Sequence, residues 1–176
     1  MRVLGLDLSL TGTGVAKPDG STLVIKTGSL RGCERLIRIR NEVMAIVIAD
    51  MPTLVIIEDR VNHIGDPGAT AELHGVIKVA LHEWNVPFAL VSAPSLKQYG
   101  CGKGNGKKED MKLHAYMRYG REFKSNDECD AYLLRAMGLE YLGSPLSVAK
   151  NLTKQEDEAV RKSMLKVDWP AVSDAA

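Results

Sequence analysis

The run Thr53-Leu-Val-Ile-Ile-Glu58 constrains this chain more than any other segment. It is continuously apolar and of strand length. A strand with no polar face must lie inside a sheet covered on both sides. It also ends in a carboxylate. A second run, Arg2 to Leu8, reads as a strand (V-L-G-L-D-L) that holds Asp7 within its apolar stretch.

The rest of the chain supplies elements to cover such a sheet. Residues Gly14 to Lys17 and Thr22 to Thr27 read as two further strands. Pro18-Asp19-Gly20 joins them, and these residues preset the angles of a tight turn. The N-terminus is therefore an antiparallel meander. Cys33 to Ala49 is helical in pattern, with Leu36, Ile39, Val43 and Val47 on one face. Ala69 to Trp84 is a second helix, with Leu73, Val76, Ile77, Ala80 and Leu81 as its stripe. Val86 to Val91 reads as a strand and Pro94 to Gly106 as a glycine-rich loop. Lys107 to Tyr119 and Asn126 to Leu142 read as helices. The order β-β-β-α-β-α-β-α-α implies an α/β fold: a mixed five-stranded sheet, antiparallel then parallel, flanked by helices.

Residues 1–143 form one expected domain, and 144–176 form a tail. There Thr153-Lys-Gln-Glu156 is a capping box, followed by Val160, Met164 and Val167 as a short apolar stripe. At 176 residues and 45% hydrophobic content the chain can build a core, which excludes disordered and fibrous classes. No apolar run reaches the roughly 18 residues of a spanning helix, so no membrane is expected. The opening MRVLGLDLSL reads as a strand rather than a signal peptide, and a cytoplasmic location is expected. Cys33, Cys101 and Cys129 are too few and too widely spaced for a disulfide framework or a zinc site.

Net charge is +1, which by itself points away from nucleic acid. The distribution along the chain is uneven. From Lys97 to Lys124 eight basic residues face three acids, a local +5, while the remainder carries −4. The acids outside that window include the conspicuous ones. Asp7 sits inside a strand, where an ionised group is costly unless a partner or a metal ion compensates it. Glu58 closes the central strand. Asp127 and Asp130, three apart in the first turn of the last helix, share one helical face. Taken singly, each has a plainer role: an arginine partner, a strand end, a helix cap. Together they form an oxygen ligand set of the kind Mg²⁺ or Mn²⁺ prefers. Two such ions about 4 Å apart can drive phosphodiester hydrolysis.

These segments resemble a known family. G-L-D-L-S-L-T-G-T-G-V-A, V-I-I-E-D-R-V, P-S-L-K-Q-Y-G-C-G-K-G-N-G-K-K-E-D-M and N-D-E-C-D-A-Y-L-L-R-A, in this order over residues 1 to 143, are similar to RuvC-type Holliday-junction resolvases of the ribonuclease H-like superfamily. The Ser9-Leu10-Thr11-Gly12 step is closer to phage-type members, which would make the location the host cytoplasm. The resemblance implies four catalytic, metal-binding acids, Asp7, Glu58, Asp127 and Asp130, holding Mg²⁺ or Mn²⁺, two ions per site. It implies a catalytic lysine at Lys108, with Lys107 the neighbouring candidate, and an earlier loop lysine at Lys97. Lys103, Lys112, Arg60 and His63 complete the expected DNA contacts. Many members carry an aromatic wedge after the acidic strand. Here the stretch is Arg60-Val61-Asn62-His63, so strict junction selectivity is not expected from it.

The function implied is a crossover-junction endodeoxyribonuclease that resolves four-way DNA by paired cuts. Paired cuts imply a twofold homodimer. The stripe of residues 69–84, with Gly75 allowing close approach, is either the dimer face or packing for the sheet. Two alternatives remain: a less selective nuclease acting on flaps, forks or structured RNA, and an inactive junction-binding protein.

Overall fold

The computed structural model describes residues 1–59, 68–146 and 153–172. The strands are β1 (Val3–Asp7), β2 (Gly12–Ala16), β3 (Thr22–Lys26), β4 (Leu54–Glu58) and β5 (Phe88–Val91). The helices are α1 (Gly32–Asp50), α2 (Ala69–Glu83), α3 (Ala93–Cys101), α4 (Lys108–Tyr119), α5 (Asn126–Tyr141) and α6 (Lys154–Met164). Strand order is β3-β2-β1-β4-β5, with β1, β2 and β3 antiparallel and β1, β4 and β5 parallel. This is the mixed sheet that the element order implies.

Side chains alternate across a strand, so each strand contributes to two cores. Leu4, Leu6, Val55 and Ile57 pack with Ile39, Val43, Leu73, Ile77 and Leu81 of α1 and α2. Val3, Leu54 and Ile56 face the other way, toward α5, with α3, α4 and α6 layered around it. Helix α5 is buried over most of its circumference, from Cys129 to Leu139. It lies directly on the sheet because β1 and β2 present glycine there. A Cβ on Gly5 would collide with the Ala131 carbonyl oxygen, and one on Gly14 with the Asp127 carbonyl oxygen.

One expectation is corrected and one open alternative is decided. The segment Pro94–Gly106 is not a loop throughout, because Ala93–Cys101 forms α3. Ser92 caps it by accepting from the Ser95 N–H at 3.3 Å, and Pro94 occupies the first turn, where its missing N–H costs nothing. Only Gly102 to Lys107 remains as a connection to α4. The apolar stripe of α2 takes the second of its two expected roles, packing for the sheet. Leu73, Ile77 and Leu81 are fully buried against the sheet and α1, which leaves Gly75, Val76 and Val79 toward the outside, beside Arg40 and Glu83.

Helix α6 starts at the expected capping box, where Thr153 and Glu156 exchange bonds of 2.8 and 3.2 Å. Its Val160, and Val167 just beyond it, are buried in the α5-side core beside α3. Among the described residues no helix is long and apolar enough to cross a membrane. Cys33, Cys101 and Cys129 are free thiols.

Candidate functional site

The strand register places the first two acids. Parallel β1 and β4 pair Leu6 with Ile57, so Asp7 and Glu58 follow side by side at the carboxyl ends of adjacent strands. Alternation puts Asp7 on the face of Val3, and Glu58 on the face of Leu54 and Ile56. That is the α5 face. Helix α5 begins at Asn126, and the Ser125 hydroxyl caps it by accepting from the Glu128 N–H at 3.1 Å. Its first turns lie over the strand ends and deliver Asp130. Carboxylate oxygens of Asp7, Glu58 and Asp130 all fall within 4.8 Å of one another.

Electrostatics show how poorly this cluster tolerates its own charge. Burial pushes the Asp7 carboxyl from 3.8 up to about 8; Glu58, Asp130 and Asp127 add repulsion, and Lys108 opposes it. Burial raises Glu58 to about 7, with Asp130 adding to the rise. Burial likewise raises Asp130 to about 6, against the pull of Lys108, Lys97 and Lys112. No hydrogen bond from the described residues relieves any of the three. A set of hard oxygen donors, packed together and hydrogen-bonded to none of the described residues, fits a divalent cation such as Mg²⁺ or Mn²⁺.

The acids sit in an open cleft of about 400 Å³, lined also by Ala93, Pro94, Leu96, Lys97, Gly104, Lys108 and Met111. Lys97 reaches it from α3, and Lys108 from the first turn of α4. The site is thus a ring of carboxylates with two ammonium groups at its edge. Such an arrangement can hold cations and a phosphate together.

The remaining expected residues fall in different places. Asp127 is on the same face of α5, one turn before Asp130. Its charge is felt by both Asp7 and Asp130, but it is outside the three-acid cluster. Lys112, in the second turn of α4, does not line the cleft, but its charge acts on Asp130 and Cys129. Lys107 is exposed at the helix start, where its N–H donates to Asp110 at 3.2 Å. Lys103 lines a separate pocket with Cys101, His114 and Glu156. Arg60, Val61 and His63 lie outside the described residues.

The local +5 of Lys97–Lys124 does not all face outward, for two of its arginines are engaged within the fold. Arg118 is buried: it donates to the Tyr99 carbonyl at 3.3 Å, meets Glu140 at 3.5 Å, and stacks over the Tyr99 ring. Arg121 donates to the Gly20 carbonyl and to the Thr22 hydroxyl, tying α4 to the β2–β3 hairpin. Both arginines stabilise the fold rather than face solvent. Sequence reasoning missed α3 as the carrier of Lys97, although Ser92 and Pro94 were the signal for it.

Comparison with known proteins agrees with the topology. No family model matches the chain, and no curated protein matches it. Among solved structures, RuvC of Thermus thermophilus superposes with a TM-score of 0.65 at 21% identity, covering 82% of this chain and 98% of that one. The same organism's RuvC in complex with a Holliday junction substrate gives 0.66 at 23% identity, covering 82% and 97%. The sheet order, the α5 crossing and the strand-end acids thus occur on a backbone shared nearly end to end with those proteins: the chain has the ribonuclease H-like fold of RuvC.

Proposed function

We propose that this protein is a divalent-metal-dependent endonuclease that resolves four-way DNA junctions. The observation that carries this reading is the convergence of Asp7, Glu58 and Asp130 within 4.8 Å, with Lys97 and Lys108 at the rim. Asp7, Glu58 and Asp130 would hold the metal, with Asp127 as the fourth acid. Divalent ions held there supply activation of the attacking water and stabilisation of the leaving oxygen. Lys108 and Lys97 hold the scissile phosphate at the cleft and offset charge developing on its oxygens. The water oxygen bonds to phosphorus and the bond to the 3′ oxygen breaks. The products are a 5′-phosphate and a 3′-hydroxyl. Lys103, Lys107, Lys112, Arg60 and His63 are proposed to contact the flanking DNA backbone.

Resolving a junction needs two opposed nicks, and one cleft supplies one. A twofold homodimer in the cytoplasm completes the reading. Its contact is assigned to the outer side of α2, where Gly75, Val76 and Val79 remain open.

The test is cleavage of a mobile synthetic four-way junction with Mg²⁺ or Mn²⁺, with both nicks mapped. Symmetric nicks that disappear with chelator are expected. Asp7→Asn should reduce cleavage by more than the ten- to hundredfold that loss of a mere outer-shell partner costs. Equal cleavage of flaps and forks would favour a broader structure-specific nuclease. Junction binding without metal-dependent cutting would mark an inactive binder. Full activity of Asp7→Asn would refute the site.

A further inference from the structure

Helix α4 does more than carry Lys108. Residues four apart lie one above another on a helix, so Lys108, Lys112 and Tyr116 form a single row. The row starts at the acid cleft, where Lys108 acts on Asp7, Glu58 and Asp130. Lys112, one turn on, is still near enough for its charge to act on Asp130. The row ends on an aromatic ring that is 51% exposed. Leu113, one turn before Tyr116, and Met117, the residue after it, are 56% and 65% exposed.

Tyr116 differs from the other tyrosines of the chain. Tyr99, Tyr119 and Tyr132 are buried, and Tyr141 stacks on Trp169 with ring centroids 4.5 Å apart. Among the described residues no ring contact or hydrogen bond engages Tyr116. An exposed aromatic next to exposed Leu and Met, in line with two cations, matches the two halves of a nucleotide: phosphate for the lysines, base for the ring.

We propose that this row is a track for one DNA strand, with Tyr116 as a stacking platform for a base that the branch leaves unpaired. The inference rests on the nuclease reading above and adds a specificity-determining residue to it. Eight helical residues separate Lys108 from Tyr116, a rise of about 12 Å. At about 3.4 Å per stacked nucleotide that is three to four nucleotides from the scissile phosphate. A fully paired duplex offers no free base face at that distance, whereas an opened branch does. Base–aromatic stacking tolerates any sequence, so the contact selects structure rather than sequence.

The experiment is steady-state cleavage of a four-way junction with Mg²⁺, with 2-aminopurine placed two to five nucleotides from the mapped nick. Tyr116→Ala should raise KM about tenfold with little change in kcat, within the range that loss of one stacked base produces. It should also abolish the fluorescence change that precedes nicking. Tyr116→Phe should behave as wild type, because stacking needs the ring and not the hydroxyl. Lys112→Gln should reduce the salt slope of binding by about one, while Tyr116→Ala leaves that slope unchanged. A wild-type KM and fluorescence trace in Tyr116→Ala overturns the proposal and leaves the exposed face to a protein partner. A Tyr116→Phe defect equal to that of Tyr116→Ala overturns it too. If wild type cuts no junction at all, the nuclease reading fails instead. Half-exposed Tyr116 is tolerant of replacement, and matching melting curves confirm that each variant folds.

Discussion

At the residue scale, Asp7 shows the cost of the site most clearly. Its carboxyl is raised from 3.8 to about 8, chiefly by burial, and Glu58 and Asp130 rise from 4.5 to about 7 and from 3.8 to about 6. All three bind protons more tightly in the folded chain than in the unfolded one. Their contribution to stability is therefore fully present below about pH 4 and is lost as pH rises through 6, 7 and 8. In chelator, the melting temperature of the protein should fall between pH 5 and pH 8.5. Saturating Mn²⁺ should flatten that fall, because the cation replaces the protons, and Asp7→Asn should remove much of the slope without any metal. Thermal unfolding at stepped pH measures all three. A pH-independent melting temperature in chelator would show that the acids are not crowded as described.

At the element scale, α5 and the two glycine-bearing strands form the unit that assembles the site. Asp130 reaches Asp7 and Glu58 because the helix backbone rests on β1 and β2 with nothing between. Gly14 pairs with Asp7 across the β1–β2 ladder and lies under the Asp127 carbonyl. A methyl group there must push against helix backbone, which has no rotamer by which to move away. Gly14→Ala should destabilise the fold by about 1–3 kcal/mol, the usual cost of overpacking. It should also weaken Mn²⁺ binding, because the lifted helix takes Asp130 with it. Urea unfolding and calorimetric titration separate the two effects. Unchanged metal affinity in a destabilised Gly14→Ala would mean that α5 shifts without carrying its acid. Helices α3 and α4, which bring the lysines, are joined to α5 by a different device. Tyr99 donates to Glu140 at 3.0 Å and lies 3.2 Å from the Tyr119 hydroxyl, with Arg118 covering both rings. Burial raises the Tyr99 and Tyr119 hydroxyls above their usual range, so both remain neutral hydrogen-bonding groups there.

At the scale of the whole molecule, two layers of helix enclose one sheet, and the basic segment and the acid cluster share one of the two sides. The basic segment folds onto the α5 side of the sheet, the side that also holds the acids. Near-neutral net charge therefore coexists with a cleft where three carboxylates and two lysines meet. Helix α6 belongs to this side as well. Val160 and Val167 enter the core around Tyr99 and Leu96, and Lys166 donates to Gln98 of α3 at 2.8 Å. The tail thus supports the helix that carries Lys97. Ending the chain after Gly143 should destabilise the remainder by about 3 kcal/mol, from two buried valines at about 1.5 kcal/mol each. Chemical denaturation of the shortened protein checks this, and undiminished stability would mean that α6 merely rests on the surface.

Much was already determined by local chemistry. The apolar runs ending at Asp7 and Glu58 read as covered strands because they are short, continuous and rich in branched aliphatic residues. Periodicity marked α1, α2, α4 and α5, and Thr153 with Glu156 marked the start of α6. The candidate acids were legible too, because a carboxylate within or at the end of an apolar strand is costly without a partner. What only the tertiary structure decided is which groups meet. Strand register, invisible in any single segment, placed Asp7 beside Glu58. The close approach of α5 over Gly5 and Gly14 selected Asp130 for the cluster and left Asp127 at its edge. Packing also divided the basic segment: Arg118 and Arg121 turned inward to satisfy aromatic rings and carbonyls, while Lys97 and Lys108 turned toward the acids. Charge counted along a chain cannot distinguish these two groups, because whether a cation faces a core or a cleft depends on what packs against its helix.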